Sequence, residues 1–281
     1  MSNIVKRSLS GAVFVAVVTG SILLGAYSCA VMLLVVIIWS MHEFYTIIAK
    51  DHVRTGTFTG LLVGVTVFAA CFFYAQGEDY ISDCLFLCLF PLVVLLFISR
   101  LYYKNNNSFR SIAYVLTGVV YISLPFSLFN FLMFPSGEAY KPDIMLGFFI
   151  LLWANDTFAY LTGILFGKHR LFKRISPKKS WEGFFGGLIC TVSLSLLINK
   201  FFALPTPQWM TWGGLHWMVI SAIIVVFGVY GDLTESLLKR NFKIKDSGRF
   251  LPGHGGILDR FDSVMLSVPV VFFYLKLFVY K

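Results

Sequence analysis

Apolar stretches of about twenty residues follow one another along almost the whole chain, separated by short polar segments. Their edges fall at roughly 9–26, 28–48, 57–75, 80–99, 111–133, 144–166, 182–203, 214–238 and 261–280. A helix of about 20 residues crosses a ~30 Å hydrocarbon core while satisfying its own backbone polar groups, which lipid cannot do for it. The pattern therefore predicts an all-α integral membrane protein of about nine transmembrane helices. Polar positions divide the chain in two. Residues 1–140, roughly five spans, carry few acids and read as scaffold and lipid access; residues 141–281, roughly four spans with polar loops, carry most of the chemistry.

Lys and Arg set the expected orientation, because they favour the cytoplasmic side of short loops. An N-terminus inside puts Lys6, Arg7, Lys50, Arg54, Arg100, Lys104, Arg110 and the basic loops 168–179 and 239–260 on the cytoplasmic face. With nine spans the C-terminus then lies outside. Lys6-Arg7 before an apolar run, with Ala26-Tyr27-Ser28-Cys29 after it, resembles a weak cleavage signal. The charge parity works with the first helix retained, so it is read as a span.

Composition agrees: 58% of the 281 residues are hydrophobic and 13% charged, against ~25% charged in soluble domains. The net charge of +9 sits in juxtamembrane loops, where anionic headgroups or a polyanionic substrate are nearer partners than nucleic acid. The five cysteines lie in apolar spans without CxxC spacing, which reads as packing and not as zinc or redox chemistry. In the first half, Glu43 and Asp83 are the acids within or at the edge of spans, with Glu43 read as a structural or orienting contact. Pro91 and Pro125 are expected to kink their helices.

Three polar clusters mark the second half. In the sixth span Asp156, Tyr160, Gly163 and Gly167 share a helix face, and an intramembrane aspartate is costly unless it faces a polar interior. RISPKKSWEG, residues 174–183, sets Lys178, Lys179 and Ser180 beside Glu182, cations and hydroxyl together as anion recognition needs. In GDLTESLLKR, residues 231–240, Asp232, Glu235, Ser236 and Lys239 fall on one face. Asp232 and Glu235 are hard oxygen donors of the kind Mg²⁺ takes one or two at a time, filling its shell with water and phosphate. The run KDSGRFLPGHGGILDRFDS, residues 245–263, adds Lys245, Asp246 and a glycine-rich turn around His254, Gly255 and Gly256, then Asp259, Arg260 and Asp262 as the last span begins. Carboxylates at a helix start also offset the macrodipole, but such richness in both signs, with glycines, points to a metal bound together with phosphates.

Ser236-Leu-Leu-Lys239-Arg240, then Lys245-Asp246, Gly248 and Leu251-Pro-Gly-His254-Gly255-Gly256-Ile-Leu-Asp259-Arg260-Phe-Asp262 resembles the signature of the phosphatidate cytidylyltransferase (CDP-diacylglycerol synthase) family. The Asp156 region and SPKKSWEG are similar to further blocks of that family, so the resemblance covers about the last 130 residues. Ile164 departs from it, standing where a basic residue is expected.

The resemblance implies transfer of the cytidylyl group of CTP to phosphatidic acid, with Mg²⁺ present and a second metal or a monovalent cation left open. It implies an inner (plasma) membrane enzyme whose active site faces the cytoplasm, among membrane lipids, and a homodimer. On this reading Asp232 and Asp259 hold the metal, with Asp246 and Asp262 as further ligands or supporting groups. Ser236, Lys239, Arg240, Lys245 and Arg260 bind substrate phosphates. Lys178, Lys179, Ser180 and Asp156 complete the polar wall. Gly255 and Gly256 let backbone approach the nucleotide, and His254 is either a donor or a loop residue. A CTP-dependent lipid kinase is the alternative enzyme. An ion-coupled transporter would place its charges near the midplane in both halves, whereas these crowd one face of the second half.

Overall fold

The computed structural model describes residues 3–49, 56–102, 108–135, 139–202, 204, 213–248, 250 and 255–280, and of residues 3–8 the backbone alone. Among the described residues ten α-helices follow in order: α1 (Asn3–Leu23), α2 (Ala26–Ala49), α3 (Thr57–Ala75), α4 (Asp79–Leu101), α5 (Ser108–Gly118), α6 (Leu124–Met133), α7 (Asp143–Phe166), α8 (Trp181–Phe201), α9 (Gly213–Asn241) and α10 (Leu258–Phe278). Among the described residues eight segments are long and apolar enough to cross a membrane, with α5 and α6 forming one of them. The chain is a multi-pass membrane protein. The remaining expected segment is α1, a 21-residue helix whose described side chains, Leu9–Leu23, are apolar in character.

Two compact units divide the chain, Met1–Tyr140 with Asn241–Phe261, and Lys141–Arg240 with Asp262–Lys281. The polar run after α9, as far as Phe261, is thus grouped in the same compact unit as Met1–Tyr140.

In the first unit α3 packs against α2, α4 and α6. Tyr45, wholly buried, donates to the Val115 carbonyl at 3.0 Å, and Ser123 donates to Gly64 at 2.7 Å. A five-residue π-turn, Val119–Ser123, joins α5 to α6. Its cause is Pro125, which has no N–H to offer the preceding turn and crowds the carbonyl there. The Leu124 N–H reaches back to Val119 instead, and the span continues without a break. α4 buries only Ser82, Leu96 and Arg100; its outward leucines and phenylalanines suit lipid contact.

In the second unit α7 and α8 lie side by side through small residues. Gly163 faces Gly183, and Gly187 faces Asn155 and Ala159, the close approach that membrane helices use in place of a hydrophobic driving force. Trp217 on α9 is fully buried, covers Gly147 of α7 and donates its indole N–H to the Phe202 carbonyl at 3.0 Å. Between α7 and α8 the chain forms an antiparallel hairpin, β1 (Arg170–Phe172) and β2 (Ser176–Ser180). This hairpin is the one addition to the helical architecture among the described residues, made where the Ser-Pro segment leaves the membrane-spanning pattern.

Candidate active site

In the first unit a buried carboxylate helps to hold the signature loop. Glu43, 5% exposed near the end of α2, accepts hydrogen bonds from the backbone N–H of Ile257 at 3.1 Å and of Leu258 at 3.0 Å. These are unsatisfied donors at the start of α10, so Glu43 acts as a cap supplied from more than 200 residues away in sequence. The Ser247 hydroxyl lies 3.0 Å from Glu43 Oε2 and 3.0 Å from Asp259 Oδ2. Asp259 Oδ2 also accepts from the N–H of Ser247 at 2.9 Å and of Gly256 at 2.8 Å. The two ends of the loop are therefore stitched together by two carboxylates and one serine.

This network explains the glycines of the run. Gly255 has φ +85°, a left-handed conformation that disfavours a side chain. Cβ atoms built at Gly248 and Gly256 would strike the Glu43 carboxylate. These residues give the carboxylate room, whatever else they do for a ligand. Lys245, Asp246 and Arg260 are exposed in this unit, and Asp246 lies beside Gly255. His254 lies outside the described residues.

The second unit gathers another cluster. Asp232 on α9 forms an ion pair with Lys179 of β2 through Oδ2 and accepts a hydrogen bond from Ser236, one turn on, at 3.1 Å. Asp262 feels the charges of Asp232, Lys179 and Asp156. α10 is brought close to α9 at Gly231, where a Cβ would meet the backbone of Asp262 and Ser263. Lys239 pairs with Glu235, which is wholly buried. Arg240 donates weakly to the Ile175 carbonyl at 3.4 Å.

Asp156, Arg170, Lys178, Lys179, Ser180 and Asp232 line a cavity of about 630 Å³ together with apolar residues such as Ala159, Ile164, Leu171 and Val229. Ser180 has a local task as well: its hydroxyl accepts the Gly183 N–H at 3.1 Å and caps α8. Asn155 also lines the cavity, and its buried Oδ1 has no hydrogen-bond partner. The lining suits a phosphorylated ligand with an apolar portion, because it combines cations, a hydroxyl and carboxylates with apolar side chains.

Among the described residues no three His, Cys, Asp or Glu side chains converge on one point as a protein-only metal site would require. The donor set nonetheless fits Mg²⁺, which takes one or two carboxylates and leaves the rest of its shell to water and phosphate. Asp232, paired with Lys179 and lining the same cavity as Asp156, is a carboxylate suited to such a cation.

Sequence reasoning did not assign the loop-holding roles of Glu43 and Ser247. The sequence marks Glu43 as a structural or orienting contact, but no local spacing names a partner so far along the chain.

A model of the cytidylyltransferase family matches residues 5–278. Phosphatidate cytidylyltransferase of Staphylococcus epidermidis is 40% identical over 168 residues, covering 60% of this chain and 60% of the relative. The protein of that name from Staphylococcus haemolyticus is 37% identical over 196 residues, 70% of this chain and 71% of the relative. That from Staphylococcus saprophyticus is 42% identical over 168 residues. The first of these alignments thus spans about 60% of the relative's own length. With the family model running over nearly the whole chain, this protein belongs to the cytidylyltransferase family.

Proposed function

We propose that the protein transfers the cytidylyl group of CTP to phosphatidic acid, giving CDP-diacylglycerol and pyrophosphate. The observation that carries this reading is the second-unit cavity, whose lining combines Lys178, Lys179, Arg170, Asp156 and Asp232 with apolar side chains. The family membership and the name shared by its relatives agree with it.

An oxygen of the phosphatidate monoester attacks the α-phosphorus of CTP; the bond from that phosphorus to the bridging oxygen of the β-phosphate breaks, and pyrophosphate leaves with the electron pair. A phosphate monoester has a second pKa of about 6, so the nucleophile is largely dianionic at neutral pH and needs little base assistance. The protein's work is electrostatic: two polyanions must be held together and the charge on the leaving group stabilised. Lys178 and Lys179 serve the phosphates from the hairpin, and Ser236 orients the Asp232 carboxylate through its hydrogen bond. Mg²⁺, held by Asp232 and supported by Asp262, would supply further charge neutralisation. Asp259, assigned to the metal by the resemblance, shares that proposed role while its Oδ2 ties the loop together. Ser236, Lys239, Arg240, Lys245, Asp246 and Arg260 remain the proposed phosphate-handling or supporting groups.

Purified protein incubated with CTP labelled in the α-phosphate and with phosphatidic acid is expected to move label into lipid and release unlabelled pyrophosphate. Label remaining in CDP, with the γ-phosphate on lipid, would mean a kinase and overturn the reading.

We place the protein in the inner (plasma) membrane, with nine spans, the N-terminus and the polar clusters cytoplasmic and the C-terminus outside. α1 counts as the ninth span because its 21 residues extend ~31 Å at about 1.5 Å per residue. A cysteine at Asn241, exposed at the end of α9, in a background with the native cysteines replaced, should react with an impermeant thiol reagent only after the membrane is opened. Labelling in intact cells would reverse the orientation. Gly248 is unsuitable for this test, since a side chain there meets Glu43.

A further inference from the structure

The second unit has another cavity, an open cleft of about 610 Å³ lined by Lys168, His169, Arg170, Lys173 and Trp181. We propose that this cleft seats the phosphate of an anionic glycerophospholipid, phosphatidate in the reaction, before the headgroup enters the neighbouring cavity. The inference rests on the proposed lipid substrate and deepens it by naming where the lipid first docks.

Four observations converge on a lipid. Arg170 lines both this cleft and the larger cavity, so the two basins share a cationic wall. Glu182 is engaged by His169, whose backbone N–H donates to it at 3.1 Å and whose Nδ1 lies 2.6 Å from Oε1. That leaves Lys168, Arg170 and Lys173 as three cations suited to a phosphate monoester of nearly two negative charges. The Trp181 N–H donates to the His169 carbonyl at 2.9 Å, fixing the first residue of α8 against the mouth of the hairpin.

Below the cations the surface becomes apolar. Trp181, 45% exposed, stacks on Phe185, 51% exposed, with ring centroids 5.8 Å apart. Ile189, 65% exposed, continues the stripe one turn further. Tryptophan is enriched at the membrane–water interface, where its ring sits at headgroup level. A lipid whose phosphate rests among the three cations can lay an acyl chain along Trp181, Phe185 and Ile189. A soluble nucleotide finds the cations but has no use for the stripe.

The test uses the full protein in phosphatidylcholine vesicles containing graded amounts of phosphatidate. A Lys168→Gln/Lys173→Gln double variant should raise the KM for phosphatidate, expressed as surface fraction, about tenfold, since each juxtamembrane cation contributes a several-fold preference for an anionic surface. Its kcat and its KM for CTP should be unchanged. An unchanged KM for phosphatidate overturns the seat, and a rise in the KM for CTP instead assigns the cleft to the nucleotide and also overturns it. A second readout does not need activity: purified wild type should retain phosphatidate over phosphatidylcholine through detergent washing, and the double variant should lose that preference. Equal retention of both lipids by wild type overturns the docking seat. Retained preference together with no cytidylyl transfer by wild type overturns the proposed reaction while leaving the seat intact.

Discussion

Asp232→Asn lowers kcat for cytidylyl transfer by about 10³-fold, the expected result if this carboxylate supplies charge where phosphoryl charge develops. Asparagine keeps the shape of the side chain and can still accept the 3.1 Å hydrogen bond from Ser236. What it removes is the negative charge that pairs with Lys179 and that, with Asp262 and Asp156, makes this corner attractive to a cation. The stability cost should be small, since Lys179 is 28% exposed at its side chain and water can solvate it; partly exposed pairs contribute only about 1 kcal/mol. Melting of the detergent-solubilised variant within a few degrees of wild type, together with lost turnover, separates chemistry from folding. Turnover above about a tenth of wild type would remove Asp232 from the catalytic charge set.

Glu43→Ala should act differently, reducing both stability and activity. The substitution strips acceptors from the Ile257 and Leu258 N–H groups and from Ser247, all near a side chain that is 5% exposed. Leaving buried donors unsatisfied costs about 1–3 kcal/mol for each group, and loss of a helix cap adds about 1 kcal/mol. Refilling the space with water recovers part of this. The net expectation is a loss of about 3 kcal/mol, seen as an earlier melting transition. Activity assayed well below that transition should fall by about 10²-fold, with KM rising, because the loop carrying Asp246, Gly255 and Gly256 loses its anchor. Glu43→Gln retains one carbonyl acceptor and should fall between wild type and alanine. Wild-type melting and kinetics in the alanine variant would show that the loop does not depend on Glu43.

These two residues differ in how far they could be read from sequence. Asp232, Ser236 and Lys239 are close in sequence, and helical spacing alone aligns them on one face; α9 indeed carries all three. Lys178, Lys179 and Ser180 stood out as a compact basic and hydroxyl segment, and two of them meet α7 or α9 groups around one cavity. The hairpin that presents them was not legible, because a short extended segment with a proline has no periodicity strong enough to distinguish it from a turn.

Sequence by itself determined that this is a helical membrane protein, where most spans lie, and where its polar residues cluster. Those properties follow from local composition and period, which lipid thickness and helix geometry convert directly into structure. Tertiary structure alone decided that the run 241–261 joins the first unit, that Glu43 caps α10, and that Lys179 meets Asp232. The physical reason is that a buried carboxylate must find donors or a cation somewhere in the folded chain, and nothing in its neighbouring residues says which distant group will satisfy it.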